Sequence, residues 1–238
     1  MANTKMLPDA IKAWANEAID EDERGRALLD KVISLGHKGD NLELIHIPAA
    51  KDINGVTSTE KFNTLLTKLH TTRQEHGYEG GEHWRWSPLW DDKAEIFGDY
   101  GIKNEPQWLV LVHSDEVEGL WFTDKAIEEQ IVESKQLMAD KPRLNYLTPA
   151  AYVCAQIQRA SNARAKSEDE YDSTELLDFN KGDFTFTRFP QYSEDGFIQT
   201  ADGRHVPRVC VYDDGRLEFV GSNGLACWRG GVRFAVVE

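Results

Sequence analysis

The feature that most limits what this chain can fold into is a short, unbroken apolar run near its middle. The run is Trp108-Leu109-Val110-Leu111-Val112-His113, entered after Pro106 and left through polar residues. A continuous apolar run of this length is typical of a strand that is buried on both faces. Helical patterns lie before and after it in the sequence. We therefore expect a small sheet around strand 108–113 within a mostly helical N-terminal part.

Apolar residues at helical spacing define the elements around this run. Thr57 and Glu60 form a capping box before one apolar face, and Thr148, followed by proline, is typical of a helix start. Thr123 is predicted to cap a third helix. A short strand is predicted over 43–48. This strand, the helix after Thr57 and the central strand suggest a βαβ unit, although the long segment after that helix argues against a minimal one.

The period of the apolar residues changes from helical to alternating near residue 183. Alternating runs separated by Asp-Gly and Asn-Gly pairs predict an antiparallel meander of five or six strands. The fold class is therefore α+β, with helices and strands concentrated in different parts of the chain. We divide it into a mainly helical α/β part (1–166), an acidic linker (167–181) and an antiparallel β part (182–238). The last part either stands alone or forms one continuous domain with the first.

Charge and cysteine content narrow the classes of function. The 238 residues carry a net charge of −14, which repels phosphate backbones and favours a partner with a basic surface. Direct nucleic-acid binding and membrane association are not expected, and no apolar run approaches the length of a membrane span. Three cysteines without CxxC spacing indicate reduced thiols. We expect a cytoplasmic protein of a bacterial or infected host cell.

Histidines and carboxylates are dense in one glycine-rich segment. A divalent metal ion is bound by such groups, and the candidate ligands are His76, Glu79, Glu82 and His83. His113 and Asp115, at the end of the central strand, are the further candidates for catalysis together with Glu82. The spacing is not HExxH. The alternative is a loop with solvated charges and a strand-end histidine satisfied by its neighbours.

Three of the seven tryptophans fall within seven residues of the same segment. Aromatic residues next to an arginine are typical of protein interfaces, so Trp84, Arg85, Trp86 and Trp90 form a candidate binding surface. The competing interpretation is that these tryptophans anchor a long loop on the core. Alternation within Trp84-Arg85-Trp86 favours an extended segment.

No catalytic or nucleotide-binding motif appears in the sequence, and no cofactor is predicted. The favoured function is a non-enzymatic acidic binding or inhibitory protein of bacterial or phage origin, of the immunity, anti-defence or regulatory type. The first alternative is a metal-dependent hydrolase or nuclease that uses segment 76–83 with His113 and Asp115. A structural or assembly component is the second.

Overall fold

The computed structural model describes residues 23–35, 42–75, 83–116, 119–141, 143–162, 176–178, 185–212, 216–227 and 229–237. In chain order its helices are α1 (Glu23–Ser34), α2 (Ser58–Glu75), α3 (Ser87–Trp90), α4 (Ala94–Phe97), α5 (Ile127–Asp140) and α6 (Pro149–Asn162). Its strands are β1 (Leu42–Ile47), β2 (His83–Arg85), β3 (Gln107–Val112), β4 (Leu144–Tyr146), β5 (Phe186–Arg188), β6 (Ile198–Thr200), β7 (Gly203–Val211), β8 (Leu217–Ser222), β9 (Gly230–Gly231) and β10 (Phe234–Val237). The fold class is α+β, as the sequence predicts.

The predicted central strand is confirmed as β3. It lies inside a four-stranded antiparallel sheet of order β1-β3-β10-β4, where Val110 is paired with Leu44 on one side and Val236 on the other. Leu109 and Leu111 belong to the main core with α2 and α6, and Trp108, Val110 and Val112 pack with α1. Because both faces are covered, the strand has no polar positions to alternate with its apolar ones.

The suggested βαβ unit is wrong, because β1 and β3 are antiparallel. After α2 the chain does not return directly to the first sheet. It first forms β2, which pairs in parallel with β8 in a second sheet, and then α3 and α4.

The second sheet has the order β2-β8-β7-β5-β9, and β6 pairs with β7. The pairs β6–β7, β7–β8 and β5–β7 are antiparallel, as expected for the predicted meander. The last strand, β10, leaves this sheet and pairs with β3 and β4 instead. Each part of the chain therefore contributes a strand to the sheet of the other part. The N-terminal part contributes β2 to the second sheet, and the C-terminal part contributes β10 to the first. The proposed domain division stays a prediction, since most of its linker lies outside the described residues.

Local signals at the helix starts are partly confirmed. The backbone N–H of Glu60 donates to Thr57 Oγ1, and the Thr57 N–H donates to Glu60 Oε2 at 3.0 Å, which is a reciprocal capping box. The prediction that Thr123 caps a helix is wrong. Helix α5 begins at Ile127, and Thr123 donates both its N–H and its hydroxyl to Glu116.

None of the helices in the described ranges has both the length and the apolar character that crossing a membrane requires.

Candidate binding surface

The tryptophan-rich segment has three different environments. Trp84 is the middle residue of β2 and is 46% exposed. Arg85 forms an ion pair with Asp91 at 2.9 Å, and Trp86 packs edge-on against the His205 ring at the border of the core. Trp90 is fully buried, stacked on the Phe97 ring with 4.3 Å between centroids. Trp90 is therefore a core residue, and of the three candidate tryptophans only Trp84 presents a large exposed surface.

The strand-end histidine belongs to a buried ion-pair cluster. Glu43 on β1 accepts hydrogen bonds from Arg159 of α6, from Nε at 2.9 Å and from Nη2 at 2.6 Å, and lies 3.1 Å from His113 Nε2. An ionised carboxylate only accepts hydrogen bonds, so His113 Nε2 carries the proton. A Cβ atom at Gly119 would lie 2.5 Å from His113 Nδ1, so the backbone covers the second ring nitrogen.

The charges of this cluster follow from its burial and its partners. Burial alone would raise the pKa of Glu43, but the charge of Arg159 and the hydrogen bonds from His113 and Arg159 lower it from 4.5 to about 2. Burial lowers the pKa of His113, although Glu43 acts in the opposite direction. The cluster at neutral pH is therefore an ionised glutamate, a charged arginine and a neutral histidine, enclosed between the first sheet and α6.

The other metal and catalytic candidates are not brought together by the described structure. His76, Glu79 and Glu82 lie outside the described residues, and His83 is the first residue of β2. Asp115 is exposed two residues beyond His113. Within the described residues, no group of three or more histidine, cysteine, aspartate or glutamate side chains is arranged to hold a metal ion. The metal site stays a prediction.

The second sheet has one face in the main core and a second face on the opposite side. Along β7 and β8, Val209, Leu217 and Phe219 belong to the core, whereas Arg208 and Glu218 are half-buried. The strand registers align Trp84, Glu218, Cys210 and Phe186 in one row across four strands. We call this second face the outer face. Its exposed or half-buried members are Trp84, Arg204, Arg208, Tyr212, Arg216, Glu218 and Val220. Phe186, Arg188 and Cys210 lie on the same face but are buried, and Val206, between Arg204 and Arg208, packs against Ile127 and Ile131 of α5.

Three arginines of the outer face lie over aromatic rings. Arg204 lies 4.5 Å from the centroid of Phe197, Arg216 lies 5.1 Å from that of Tyr212, and Arg208 lies 4.4 Å from that of Phe186. Guanidinium groups are attracted to aromatic faces and keep their N–H donors free at the edges of the plane. The arrangement therefore presents planar cations held in fixed orientations on a sheet.

A fourth arginine of the same face is buried. Arg188 pairs in register with Arg208, is 2% exposed, and lies 5.2 Å from the centroid of the same Phe186 ring. It donates to the backbone carbonyl groups of Lys125 and Leu225, at 3.1 and 2.6 Å. Burial lowers the pKa of Arg188 to about 10, and the nearby charge of Arg208 acts in the same direction.

Arg188 and Arg208 are not among the site residues that the sequence predicts. One signal was present, because residues 182–238 contain six arginines and no lysine. Alternation also places Phe186 and Arg188 on one face of their strand. These residues lie next to Arg208 only because β5 pairs with β7 in one particular register. No tight turn joins the two strands, so this register could not be predicted from the sequence.

No family model matches the chain, and neither the curated proteins nor the solved structures compared with it include a match.

Proposed function

We propose that the protein is a non-enzymatic binding protein that recognises a partner protein through its outer face. The observation that carries this proposal is the position of Trp84. It is a large aromatic side chain, 46% exposed, on an edge strand next to the half-buried Glu218. Tryptophan and arginine dominate the residues whose loss most weakens protein interfaces.

The arginines of the outer face give the proposed interface its chemistry. Arg208 and Arg188 carry two positive charges against one aromatic ring. A partner segment with carboxylates complements these charges, and Trp84, two strands away from Arg208 on β2, offers it an apolar contact. The net charge of −14 favours a partner that is basic elsewhere on its surface. An inhibitory, immunity or regulatory role is the form of binding protein that we propose.

The proposal is tested by panning the full chain against a display library of short random peptides. Wild-type protein is compared with Trp84→Ala and with Val132→Ala, which removes a 66% exposed side chain from α5 and leaves the outer-face side chains unchanged. We expect enriched peptides that contain carboxylates and whose binding is lost in Trp84→Ala but kept in Val132→Ala.

Two results would contradict the proposal. Equal binding by the wild-type protein and Trp84→Ala would remove Trp84 from the interface. Enrichment of basic peptides instead would place recognition on the acidic surface of the protein rather than on its outer face. Binding that weakens as salt concentration rises is expected in either case, so the peptide sequences decide between the two.

A further inference from the structure

The three arginine–aromatic pairs of the outer face differ in their counter-charges. Arg204 forms an ion pair with Asp195, and Arg216 forms one with Glu218 at 3.1 Å. The guanidinium group of Arg208 forms no ion pair and no hydrogen bond with the described residues, and it lies over the Phe186 ring. Of the three arginine–aromatic pairs, the pair of Arg208 with Phe186 is therefore the one without a carboxylate from the described residues.

The surroundings of Arg208 increase the energetic cost of leaving its charge without a carboxylate partner. Arg188 brings a second guanidinium to the same ring, and its hydrogen bonds go to neutral carbonyl groups. No ion pair joins Arg188 to a carboxylate of the described residues, although the charge of Glu128 acts on it from a distance. The Nε atoms of both arginines are buried and lack a hydrogen-bond partner within the described part of the chain. Buried charges are ordinarily paired, because desolvation penalises an uncompensated ion.

We infer that Arg208, backed by Arg188 on the Phe186 ring, is an oxyanion-binding site that accepts a carboxylate or phosphate group from a ligand. The inference rests on the proposed function for the position of the ligand on the outer face, and it names the chemical group that is recognised. The planar guanidinium of Arg208 presents paired N–H donors, which match the two oxygens of such a group. The bound anion would offset the repulsion between the two arginines.

Arg204 provides a matched control for this site. It lies on the same strand and the same face as Arg208, stacks on an aromatic ring at nearly the same distance, and already has its carboxylate. The variants Arg208→Gln and Arg204→Gln therefore remove the same group from similar surroundings. They differ in the counter-charge, in the second arginine at the Phe186 ring and in exposure, since Arg204 is 55% exposed and Arg208 is half-buried. Melting temperatures and circular dichroism of both variants report whether the fold is kept.

The experiment titrates the full chain with inorganic phosphate and, separately, with a short polyglutamate peptide, using calorimetry and the NMR signals of the arginine Nε–H groups. We expect saturable binding of at least one probe, a shift of the Arg208 signal, and an affinity loss of about tenfold or more in Arg208→Gln, equivalent to about 1.4 kcal/mol. Arg204→Gln should change affinity less than about twofold. Arg208→Lys should fall between, because it keeps the charge and loses the paired donors.

The two probes separate the sources of the anion, since phosphate binding alone indicates a phosphorylated or free phosphate ligand. Equal losses in Arg208→Gln and Arg204→Gln, or no saturable binding of either probe, would overturn the inference. If Trp84→Ala weakens library peptides while Arg208→Gln does not, the proposed interface stands and the oxyanion site is wrong. If Arg208→Gln abolishes phosphate binding and Trp84→Ala changes nothing, the oxyanion site stands and the proposed protein interface fails.

Discussion

Glu43 and Arg159 join the first sheet to its covering helix through a two-pronged ion pair in the protein interior. Both carboxylate oxygens of Glu43 accept hydrogen bonds from Arg159, at 2.9 and 2.6 Å. The side chains are 4% and 13% exposed, so neither charge is well solvated. His113 adds a third hydrogen bond at 3.1 Å. In this position the pair fixes how α6 sits on β1, and its loss would leave a charge in the core.

We expect Arg159→Met to lower the free energy of unfolding by about 3–5 kcal/mol, because it leaves the Glu43 carboxylate buried with its main partner removed. Urea denaturation at neutral pH measures the effect. Arg204→Met is the control, since it breaks the exposed pair with Asp195 and should cost less than about 1 kcal/mol. The double variant Glu43→Leu/Arg159→Met should recover part of the loss. Equal effects of the two single variants would contradict this account.

The acid sensitivity of folding should follow the same cluster. The pKa of Glu43 is lowered from 4.5 to about 2, so its stabilisation is complete above pH 4.5 and is lost as the pH falls toward 2. Because one unit of pKa shift corresponds to about 1.4 kcal/mol, the free energy of unfolding should fall by about 3–4 kcal/mol once Glu43 is fully protonated. The lowered pKa of His113 means that stability also begins to fall below about pH 6.5, where the unfolded chain takes up the proton first.

Unfolding free energies of wild type, Glu43→Gln and His113→Gln, measured from pH 7 to pH 3, check this prediction. Glu43→Gln should show a smaller loss below pH 4.5, and His113→Gln a smaller loss between pH 6.5 and 5. Parallel pH profiles for all three proteins would show that neither group is responsible.

The features of this fold that could be predicted are those with a sequence pattern confined to one element of the chain. The strand at 107–112 was predictable because both of its faces are buried, which leaves an unbroken apolar run. The capping box at Thr57 and Glu60 was also readable from its spacing. The Glu43–Arg159 pair joins residues 116 positions apart, and no local pattern links them. Alternation over residues 232–236 predicted a strand, but it did not indicate that β10 would pair with β3.

The candidate site was less predictable than the fold. Trp84 and Trp90 are equally hydrophobic in the sequence, and their opposite exposure is decided by tertiary packing. Arg188 and Arg208 approach each other only through the pairing of β5 with β7. The composition shows that this part of the chain contains arginine and no lysine. It does not show which of these arginines have a carboxylate beside them, and that knowledge is needed to predict the site.

A second buried network holds the short segment around Asp178 against the sheets. Asp178 accepts hydrogen bonds from Arg233 Nη2 at 2.7 Å and from the Thr187 hydroxyl at 2.6 Å, and Thr187 Oγ1 accepts one from Arg233 Nε at 2.9 Å. Thr187→Val keeps the shape of the side chain and removes both bonds of its hydroxyl. Because this leaves a donor and an acceptor unsatisfied in the core, we expect a loss of about 1–3 kcal/mol.

Thr64→Val is the matched control for this network. The Thr64 hydroxyl donates to the backbone carbonyl of Asn54 at an exposed site, where water can replace the lost bond. We expect Thr64→Val to lower the free energy of unfolding by less than about 1 kcal/mol, measured by the same urea titration. A Thr187→Val variant no less stable than Thr64→Val would mean that the buried triad does not contribute to folding.

The contrast between Trp84 and Trp90 separates a recognition residue from a structural one. Trp90 stacks on Phe97, contacts the Phe219 ring edge-on at 5.0 Å between centroids, and donates its indole N–H to the Val220 carbonyl at 3.2 Å. Trp90→Ala should therefore cost about 3–5 kcal/mol, through both the cavity and the lost hydrogen bond. Trp84→Ala should change stability by less than about 0.5 kcal/mol, because a half-exposed side chain on an edge strand has few core contacts.

Thermal unfolding and peptide binding measured on the same two variants complete the test. For Trp84→Ala we expect an unchanged melting temperature with loss of peptide binding. For Trp90→Phe, which keeps most of the ring packing, we expect a modest loss of stability and retained binding, because Trp90 supports β8 from the core side and does not reach the outer face. A Trp84→Ala variant that unfolds as readily as Trp90→Ala would make Trp84 a packing residue and would remove the main support for the proposed interface.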